Sequence, residues 1–480
     1  MKEEMKVSNQ RYRLGYHLMT KGGWMNDPNG FSYFKGFYHM FYQYYPYAAE
    51  WGPMHWGHAR SKDLIHWETL PTALTPGDME SGCFSGSAVV YDDKLWLIYT
   101  GHHYIELNDS EAFYQNQNLA YSEDGINFTK YEGNPVLRAP KDNTKHFRDP
   151  KVWQDGDNFY MVLGSQEIDG LGRALLYSST DLKKWEFVST LAKAKNLKDE
   201  GYMWECPDFF NLDGKDILLM SPQGLEANGD LYRNLNQTGY LIGNFDKSTN
   251  TLKHSGFVEI DRGHDFYATQ TMLTPDGRRV MIAWMNAWDS PMYEKQDGWA
   301  GALTIPRELH VINDKIYQRP IDEIKSIRQE KVFDGALDVN KKIAVPRTSE
   351  VQIQFKEIKS DTLLKITDGT NSLTLMLDML GNRLILNRTT KDGERAATVE
   401  NLLSLELQCF IDVSSVEIFV NNGELTFTER MYWDGELFLI NEADASNNTV
   451  VYKLEPETNS WNQKVISNER KHGDNGNYWQ

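Results

Sequence analysis

The chain has 480 residues, enough for two hydrophobic cores, and 12% of them are aromatic, which suits β-sheet packing. Its formal net charge of −18 argues against nucleic acids and anionic membranes as partners, because both select basic surfaces. Its three cysteines are too few and too widely spaced for a disulfide framework or a zinc site.

The amino terminus shows no targeting segment. The first residues, MKEEMKVSNQRYRLGYHLM, lack the apolar core of an export signal, and no later segment is long enough to span a membrane. We expect a cytoplasmic protein, or a secreted one if a leader has been removed.

Residues 26–290 contain five copies of one pattern: an extended stretch, a Gly/Asp turn and an aromatic-rich apolar strand. Successive equivalent points lie 58, 64, 58 and 63 residues apart, at Phe37, Leu95, Phe159, Ile217 and Val280. A period of about 60 residues that is rich in turn residues and β-formers predicts a propeller with one four-stranded sheet per repeat. Three repeats also carry a polar hairpin with Asp four residues before an aromatic, at 63/67, 124/128 and 181/185.

Carboxylates recur where the strand that precedes the turn begins. Asp27, Asp149 and Glu205 lie 9, 7 and 9 residues before the turn glycine of the first, third and fourth repeats. A propeller brings corresponding positions of its blades to one axis, so these three side chains are predicted to face one another. Such a group of carboxylates is what the cleavage of a glycosidic bond requires.

The repeat ends near residue 320. Residues 320–331, PIDEIKSIRQEK, place Ile321, Ile324 and Ile327 at helical spacing and predict a short amphipathic connector. The apolar segments that follow are separated by Gly/Asn turns, as in a β-sandwich of about 140 residues. We predict an all-β fold: a five-bladed β-propeller catalytic domain over 1–320, a connector over 321–335 and a C-terminal β-sandwich over 336–480.

Asp27 is the candidate nucleophile of a retaining glycosidase, a mechanism that needs one carboxylate to attack and a second carboxyl to donate and later accept a proton. Asn26 and Asn29 flank it with amide donors that would keep a carboxylate ionised and oriented. The structural alternative is an ordinary Asp-Pro turn.

Glu205 is the candidate general acid/base, since Trp204, Cys206 and Pro207 suggest an apolar setting that would raise its pKa. The alternative is a solvated glutamate on an edge strand. Asp149 follows Arg148, and an ionised carboxylate there would grip sugar hydroxyls and offset the positive charge of the transition state. Its alternative is a structural ion pair with that arginine.

Aromatic residues are the candidates for the pocket wall, although each is more often a core residue. They are Trp24, Trp51, Phe84, Tyr267, Trp284 and Trp299. Gln43 ends the first aromatic strand, where a buried amide needs a partner such as a sugar hydroxyl. Cys206 is expected to pack beneath Glu205. The pair His102-His103 has no third ligand at metal spacing, so we predict a rim feature and no metal site.

At these residues nearly the whole chain resembles glycoside hydrolase family 32. WMNDPNG is similar to the family's nucleophile motif, FRDP to the block of the transition-state stabiliser and WECPDFF to the acid/base block, here with Asp27, Asp149 and Glu205. FSGSAVV at 84–90 and FIDVSSVEIFVNNGE at 410–424 are also similar to family blocks. The resemblance implies a five-bladed propeller joined to a β-sandwich, release of terminal β-linked fructose through a covalent intermediate, and no cofactor. By the same carry-over, the residues that match substrate-contacting positions are Asn26, Gln43, Trp51, Phe84, Ser85 and Arg148.

Sucrose is the expected substrate, with sucrose 6-phosphate second and longer fructans third, because the acid loops show no Lys/Arg cluster for a phosphate. Transfer of the fructosyl unit to another sugar stays open. A non-catalytic sugar-binding propeller would lack one of the acids, and a scaffold for protein partners would keep its repeats alike on an exposed rim. We expect a monomer or homodimer whose only required partner is a small sugar.

Overall fold

A computed structural model describes residues 2–77, 79–106, 109–390 and 393–456 of the chain. Within them the regular structure is almost entirely β: five sheets form a propeller and two further sheets form a sandwich. The predicted fold class is thus confirmed. The end of the predicted sandwich domain, 457–480, lies outside the described residues.

Each propeller blade is an antiparallel sheet whose strands follow one another along the chain. The first blade contains β1 (Gly23–Phe34), β2 (Phe37–Tyr45), β3 (His55–Ser61) and β4 (Trp67–Leu74), and the second contains β5 (Gly82–Tyr91), β6 (Lys94–Tyr104), β7 (Phe113–Ser122), β8 (Thr129–Lys130) and β9 (Leu137–Arg138). The third blade contains β10 (Asn143–Asp155), β11 (Asn158–Glu167), β12 (Gly172–Ser179) and β13 (Glu186–Lys193), and the fourth contains β14 (Met203–Leu212), β15 (Lys215–Gln223), β16 (Gly239–Asp246), β17 (Thr251–His254) and β18 (Val258–Glu259). The fifth blade contains β19 (Tyr267–Leu273), β20 (Arg279–Trp284), β22 (Arg307–Ile312) and β23 (Lys315–Pro320), while β21 (Trp299–Ala300) pairs parallel to β1 of the first blade.

The first strand of each blade is the innermost. Strands β1, β5, β10, β14 and β19 contact one another in that order, and β19 contacts β1, which closes the ring. The turns that the repeat predicted are tight hairpins, and Lys35-Gly36 has φ of 47° and 82°, the left-handed pair of a type I′ turn. Closure places the first strands around one axis, where their side chains can meet.

The recurring polar hairpin joins the outer strands of three blades. In the first blade the Asp63 carboxylate accepts the backbone N–H groups of Ile65 and His66 at 3.0 and 2.8 Å. Asp124 and Asp181 make the equivalent pairs of hydrogen bonds in the next two blades. The repeated aspartate therefore holds a turn by capping its backbone donors.

Two six-stranded antiparallel sheets form the sandwich, and an aliphatic core fills the space between them. Their orders are β24-β35-β26-β31-β32-β33 and β25-β34-β27-β28-β29-β30. The strands are β24 (Arg328–Gly335), β25 (Lys342–Val345), β26 (Ser349–Lys356), β27 (Thr362–Thr367), β28 (Ser372–Asp378), β29 (Arg383–Arg388), β30 (Arg395–Thr398), β31 (Ser404–Asp412), β32 (Ser415–Val420), β33 (Leu425–Arg430), β34 (Leu437–Asn441) and β35 (Ser446–Leu454).

The predicted connector is helical only in its first half. Asp322–Ile327 is a 3₁₀ helix whose isoleucines, with Ile321, pack against both the propeller and the sandwich. Arg328–Gly335 is instead an edge strand of the sandwich, because it pairs with β35. The remaining helices in the described part are the single α-turn Leu197–Glu200 and the 3₁₀ turns Tyr293–Asp297 and Asn421–Gly423. None of these helices is long and apolar enough to cross a membrane.

Candidate active site

Each innermost strand of the propeller carries a β-bulge at the same level. The pairing shifts lie at Met25/Pro28, Phe84/Gly86, Arg148/Lys151, Glu205/Asp208 and Tyr267/Gln270. A bulge leaves residues unpaired and bends the strand, which turns their side chains toward the axis. The recurring acids therefore lie inside the strands, at the bulges, and not at the strand starts where the sequence placed them.

Three of these bulges contain residues with left-handed backbone. Asp149, Cys206 and Ala268 have φ of 67°, 49° and 55°, a conformation that side chains disfavour. Such strain costs about 1–3 kcal/mol per residue and persists only where the surroundings enforce it. In the third blade the strained residue is the acid Asp149 itself, and in the fourth blade the strained Cys206 directly follows Glu205.

The bulges border a cavity of about 380 Å³, and the side chains of Asp27, Asp149 and Glu205 all line it. The thiol of Cys206 lies between the two aspartates, with Sγ 3.5 Å from Asp27 Oδ2 and 3.6 Å from Asp149 Oδ2. Burial, and then the two negative charges, raise the pKa of this thiol well above its usual range, so it stays protonated. The cysteine expected beneath Glu205 therefore donates to the aspartates instead.

Asp27 is held by donors from two blades. Ser85 Oγ donates to its Oδ2 at 2.7 Å, and the Asn26 amide donates to its Oδ1 at 3.1 Å. Burial, followed by the charge of Glu205, raises the pKa of Asp27, and these hydrogen bonds oppose that shift. Asn29 differs from expectation, because its amide donates to the backbone carbonyl of Asp27 at 3.2 Å.

Asp149 accepts the backbone N–H of Cys206 at 2.9 Å. Burial raises the pKa of Asp149 to about 7; Arg148 acts against the shift, and Glu205 and Asp27 add to it. The buried carboxylate thus has like charges near it, and the charge of Arg148 favours its ionised form.

Glu205 accepts hydrogen bonds at both oxygens. Arg148 donates to Oε1 through Nε at 3.1 Å and Nη2 at 2.8 Å, and the hydroxyl of Tyr267 donates to Oε2. The prediction of an apolar setting for Glu205 was wrong. Successive side chains along a strand point to opposite faces, so Trp204 is buried in a separate hydrophobic cluster and does not surround Glu205. Arg148 accordingly forms its hydrogen-bonded ion pair with Glu205 and not with the adjacent Asp149.

Six further residues predicted to contact substrate line the cavity: Asn26, Gln43, Trp51, Phe84, Ser85 and Arg148. Four of the predicted wall residues do not: Trp24, Tyr267, Trp284 and Trp299. Trp284 is completely buried, with its ring centroid 5.0 Å from that of Trp288 and 6.0 Å from that of Trp24. It therefore supports the wall from behind, and the exposed face belongs to Trp288.

Two family models match the chain. The model of the glycosyl hydrolases family 32 N-terminal domain matches residues 17–320, and that of the family 32 C-terminal domain matches residues 318–455. The chain belongs to glycoside hydrolase family 32.

Three of its relatives in family 32 match over about nine tenths of their length or more. A sucrose-6-phosphate hydrolase of Zymomonas mobilis is 42% identical over 467 residues, covering 91% of each chain. A raffinose invertase of Escherichia coli is 41% identical over 449 residues, covering 89% of this chain and 91% of the relative. The structure of a mutant (D63A) of the Bombyx mori β-fructofuranosidase BmSUC1 in complex with sucrose is 43% identical, has a TM-score of 0.87 and covers 93% and 95% of the two chains.

The sequence did not single out most of the residues on the outer side of this family 32 cavity. They include Phe113, Gln115, Gln223, Asn236 and Trp288, whereas His102, predicted only as a rim feature, also lines the cavity. His102 and Gln223 lie near the ends of β6 and β15, the place that Gln43 has in β2, so aligning the repeats would have found them. Trp288 lies in a loop without a counterpart in the repeats. The described residues of this glycosidase contain no group of three or more His, Cys, Asp or Glu that could hold a metal ion.

Proposed function

We propose that the protein is a retaining β-fructofuranosidase that hydrolyses sucrose to glucose and fructose. The observation that carries the proposal is that Asp27, Asp149 and Glu205 line one cavity at the propeller axis, each with a different set of donors. The match to family 32 and the relatives named for sucrose or its 6-phosphate support it.

In the first step Asp27 attacks the anomeric carbon of the fructosyl unit while Glu205 gives its proton to the glycosidic oxygen, so that glucose leaves. Ser85 and Asn26 hold the attacking carboxylate in place. In the second step Glu205 takes a proton from water, whose oxygen attacks the same carbon and frees Asp27. The ionised Asp149 binds fructose hydroxyls and offsets the positive charge that develops in both transition states.

The charge of the cavity favours sucrose over its phosphate ester. Among the described residues that line the cavity, Arg148 is the only lysine or arginine, and it is bonded to Glu205. A phosphate dianion would be held near three carboxylates without a cation of its own. Sucrose-6-phosphate hydrolysis is the second candidate, because a relative of that name is 42% identical.

Comparing kcat/KM for sucrose, sucrose 6-phosphate and a short inulin tests the substrate. We expect the highest value with sucrose, and a higher value with the phosphate ester would establish the second candidate. Hydrolysis in the presence of methanol tests the stereochemistry, because a retaining enzyme yields methyl β-fructofuranoside and an inverting one yields the α-anomer.

Two substitutions test the roles of the acids. We expect Asp27→Ala and Glu205→Ala to abolish fructose release while circular dichroism shows an intact fold. With Glu205→Ala and a substrate whose leaving group needs no proton, a fructosyl unit should accumulate on the peptide that contains Asp27. A Glu205→Ala enzyme with the full rate on sucrose would rule out the acid/base role.

A further inference from the structure

The ion pair between Arg148 and Glu205 depends on where the guanidinium is held. Nε and Nη2 of Arg148 both point to Glu205, whereas Nη1 lies 2.8 Å from Nδ1 of His146. A guanidinium has no acceptor, so it must donate to Nδ1, and the imidazole proton is then on Nε2. The remaining contacts of Arg148, with Gln115 and Gln223, are long at 3.5 and 3.4 Å.

His146 is kept neutral by its surroundings. Burial, followed by the charges of Arg148, Lys145 and His102, lowers the pKa of His146 to about 3. The ring packs against Phe113 and Tyr202, with centroids 5.5 and 6.3 Å apart. An imidazole that stays neutral above that pH can accept from Arg148 over the whole range in which a glycosidase works.

We propose that His146 is a positioning residue for the acid/base, a role that rests on the function proposed above for Glu205. By accepting from Nη1, it turns the guanidinium so that the two other donors converge on Oε1 of Glu205. Without that acceptor, Nη1 has the carboxylate of Asp149 as the strongest nearby attraction, and Arg148 rotates away from Glu205 toward it.

Loss of the hydrogen-bond acceptor of His146 affects Glu205 more than it affects the other groups around Arg148. The charged and titratable groups that face Glu205 are Arg148, Tyr267, Tyr202, Asp27, Asp149 and Cys206. Arg148 is the only cation among them, so its rotation leaves Glu205 beside two aspartates. Glu205 then has no positive neighbour among these groups, and the proton-transfer geometry is lost.

A pair of variants of nearly equal shape separates the acceptor from the packing. His146→Asn keeps an oxygen acceptor near the position of Nδ1, and His146→Leu replaces it with a methyl group. We expect His146→Leu to lower kcat by about 10- to 100-fold with little change in KM, as for a small misplacement of a catalytic group. Its kcat/KM profile should extend to higher pH on the basic side, and His146→Asn should restore both kcat and profile in large part.

The control is His103→Leu. His103 also packs against an aromatic ring, at 4.5 Å from Tyr114, and makes one hydrogen bond, with Asn116 at 3.2 Å, but it does not contact Arg148. We expect the wild-type kcat and pH profile for this variant.

Two outcomes would overturn the positioning role: a His146→Leu enzyme with the wild-type kcat and pH profile, or equal losses in His146→Asn and His146→Leu with unchanged profiles. These results are distinct from failure of the proposed function. That function fails if wild-type protein releases no fructose or if Glu205→Ala is fully active, whatever the His146 variants do.

Discussion

Asp149 has a charge that its burial disfavours and that the proposed reaction requires. It is buried near Glu205 and Asp27, and Arg148, whose charge favours its ionised form, is hydrogen-bonded to Glu205. An ionised group in such a place has few ground-state partners, so its charge is best neutralised when positive charge develops on the sugar.

We therefore expect Asp149→Asn to lower kcat by about 10²–10³-fold while KM changes much less. Steady-state kinetics on sucrose measures both constants. An unchanged kcat with only KM raised would show that Asp149 binds the ground state and not the transition state.

The same charge has a cost in stability. The pKa of Asp149 is raised in the folded protein, from 3.8 to about 7, so protonation favours folding. The stabilisation by protonation of Asp149 is complete below the pKa of the unfolded chain, and it is lost as the pH rises through the pKa of the folded protein. We expect Asp149→Asn to unfold at a higher temperature than the wild type at about pH 8, and the difference to vanish at about pH 4. A gap in Tm that does not change with pH would contradict this linkage.

At the scale of the element, the bulge is the unit that makes the site. Ala268, in the bulge of β19, has φ of 55° and is fully buried directly after Tyr267, which contacts Glu205. A β-branched side chain strongly disfavours this backbone, whereas glycine adopts it freely.

We expect Ala268→Val to destabilise the fold by about 2–4 kcal/mol and to reduce activity, because strain and overpacking act together. Ala268→Gly should be as stable as the wild type or up to about 1 kcal/mol more stable. Ala283→Val is the matched control, a buried alanine on β20 of the same blade with ordinary backbone. Urea unfolding measures all three, and equal losses in the two valine variants would remove backbone strain as the cause.

Elements with a repeating signal could be predicted from the sequence. The blade turns, the hairpin aspartates and the level of the three acids all recur at similar intervals, and repetition shows which residues share a position around the axis. The bulges, where one extra residue shifts the pairing, were not predicted, although Pro28, Pro150 and Pro207 lie in three of them and proline within a strand can mark a bulge. Partner choice was also hidden: Arg148 pairs with Glu205, which is 57 residues away, rather than with its neighbour in sequence.

At the scale of the whole molecule, buried charges join the propeller to the sandwich. Arg307 of β22 binds Asp261 at 3.1 Å and Glu417 of β32 at 2.6 Å. Asp265, which precedes β19, binds Arg388 of β29 at 2.5 Å. Removing one partner would leave a charge uncompensated in a dry interface, which is far more costly than losing a surface pair. The sandwich thus holds the strand that contains Tyr267, and the two domains form one stable unit.

His17 makes this interface sensitive to pH. Its ring nitrogens lie 2.7 Å from Asp412 and 2.7 Å from Glu417, both on the sandwich. Burial opposes the imidazolium, but the hydrogen bonds to the two carboxylates outweigh it and raise the pKa of His17 to about 9. The stabilisation by protonated His17 is therefore complete below its pKa of 6.5 in the unfolded chain, and it is lost as the pH rises through its pKa of about 9 in the folded protein.

We expect the free energy of unfolding of the wild type to fall between about pH 6.5 and pH 9.5, and that of His17→Gln, lower at pH 6.5, to fall much less. Urea unfolding at a series of pH values gives the two curves. His66→Gln is the control, since that histidine pairs with Asp63 on the exposed surface of the first blade. If His17→Gln loses stability with pH as steeply as the wild type, another group controls the interface.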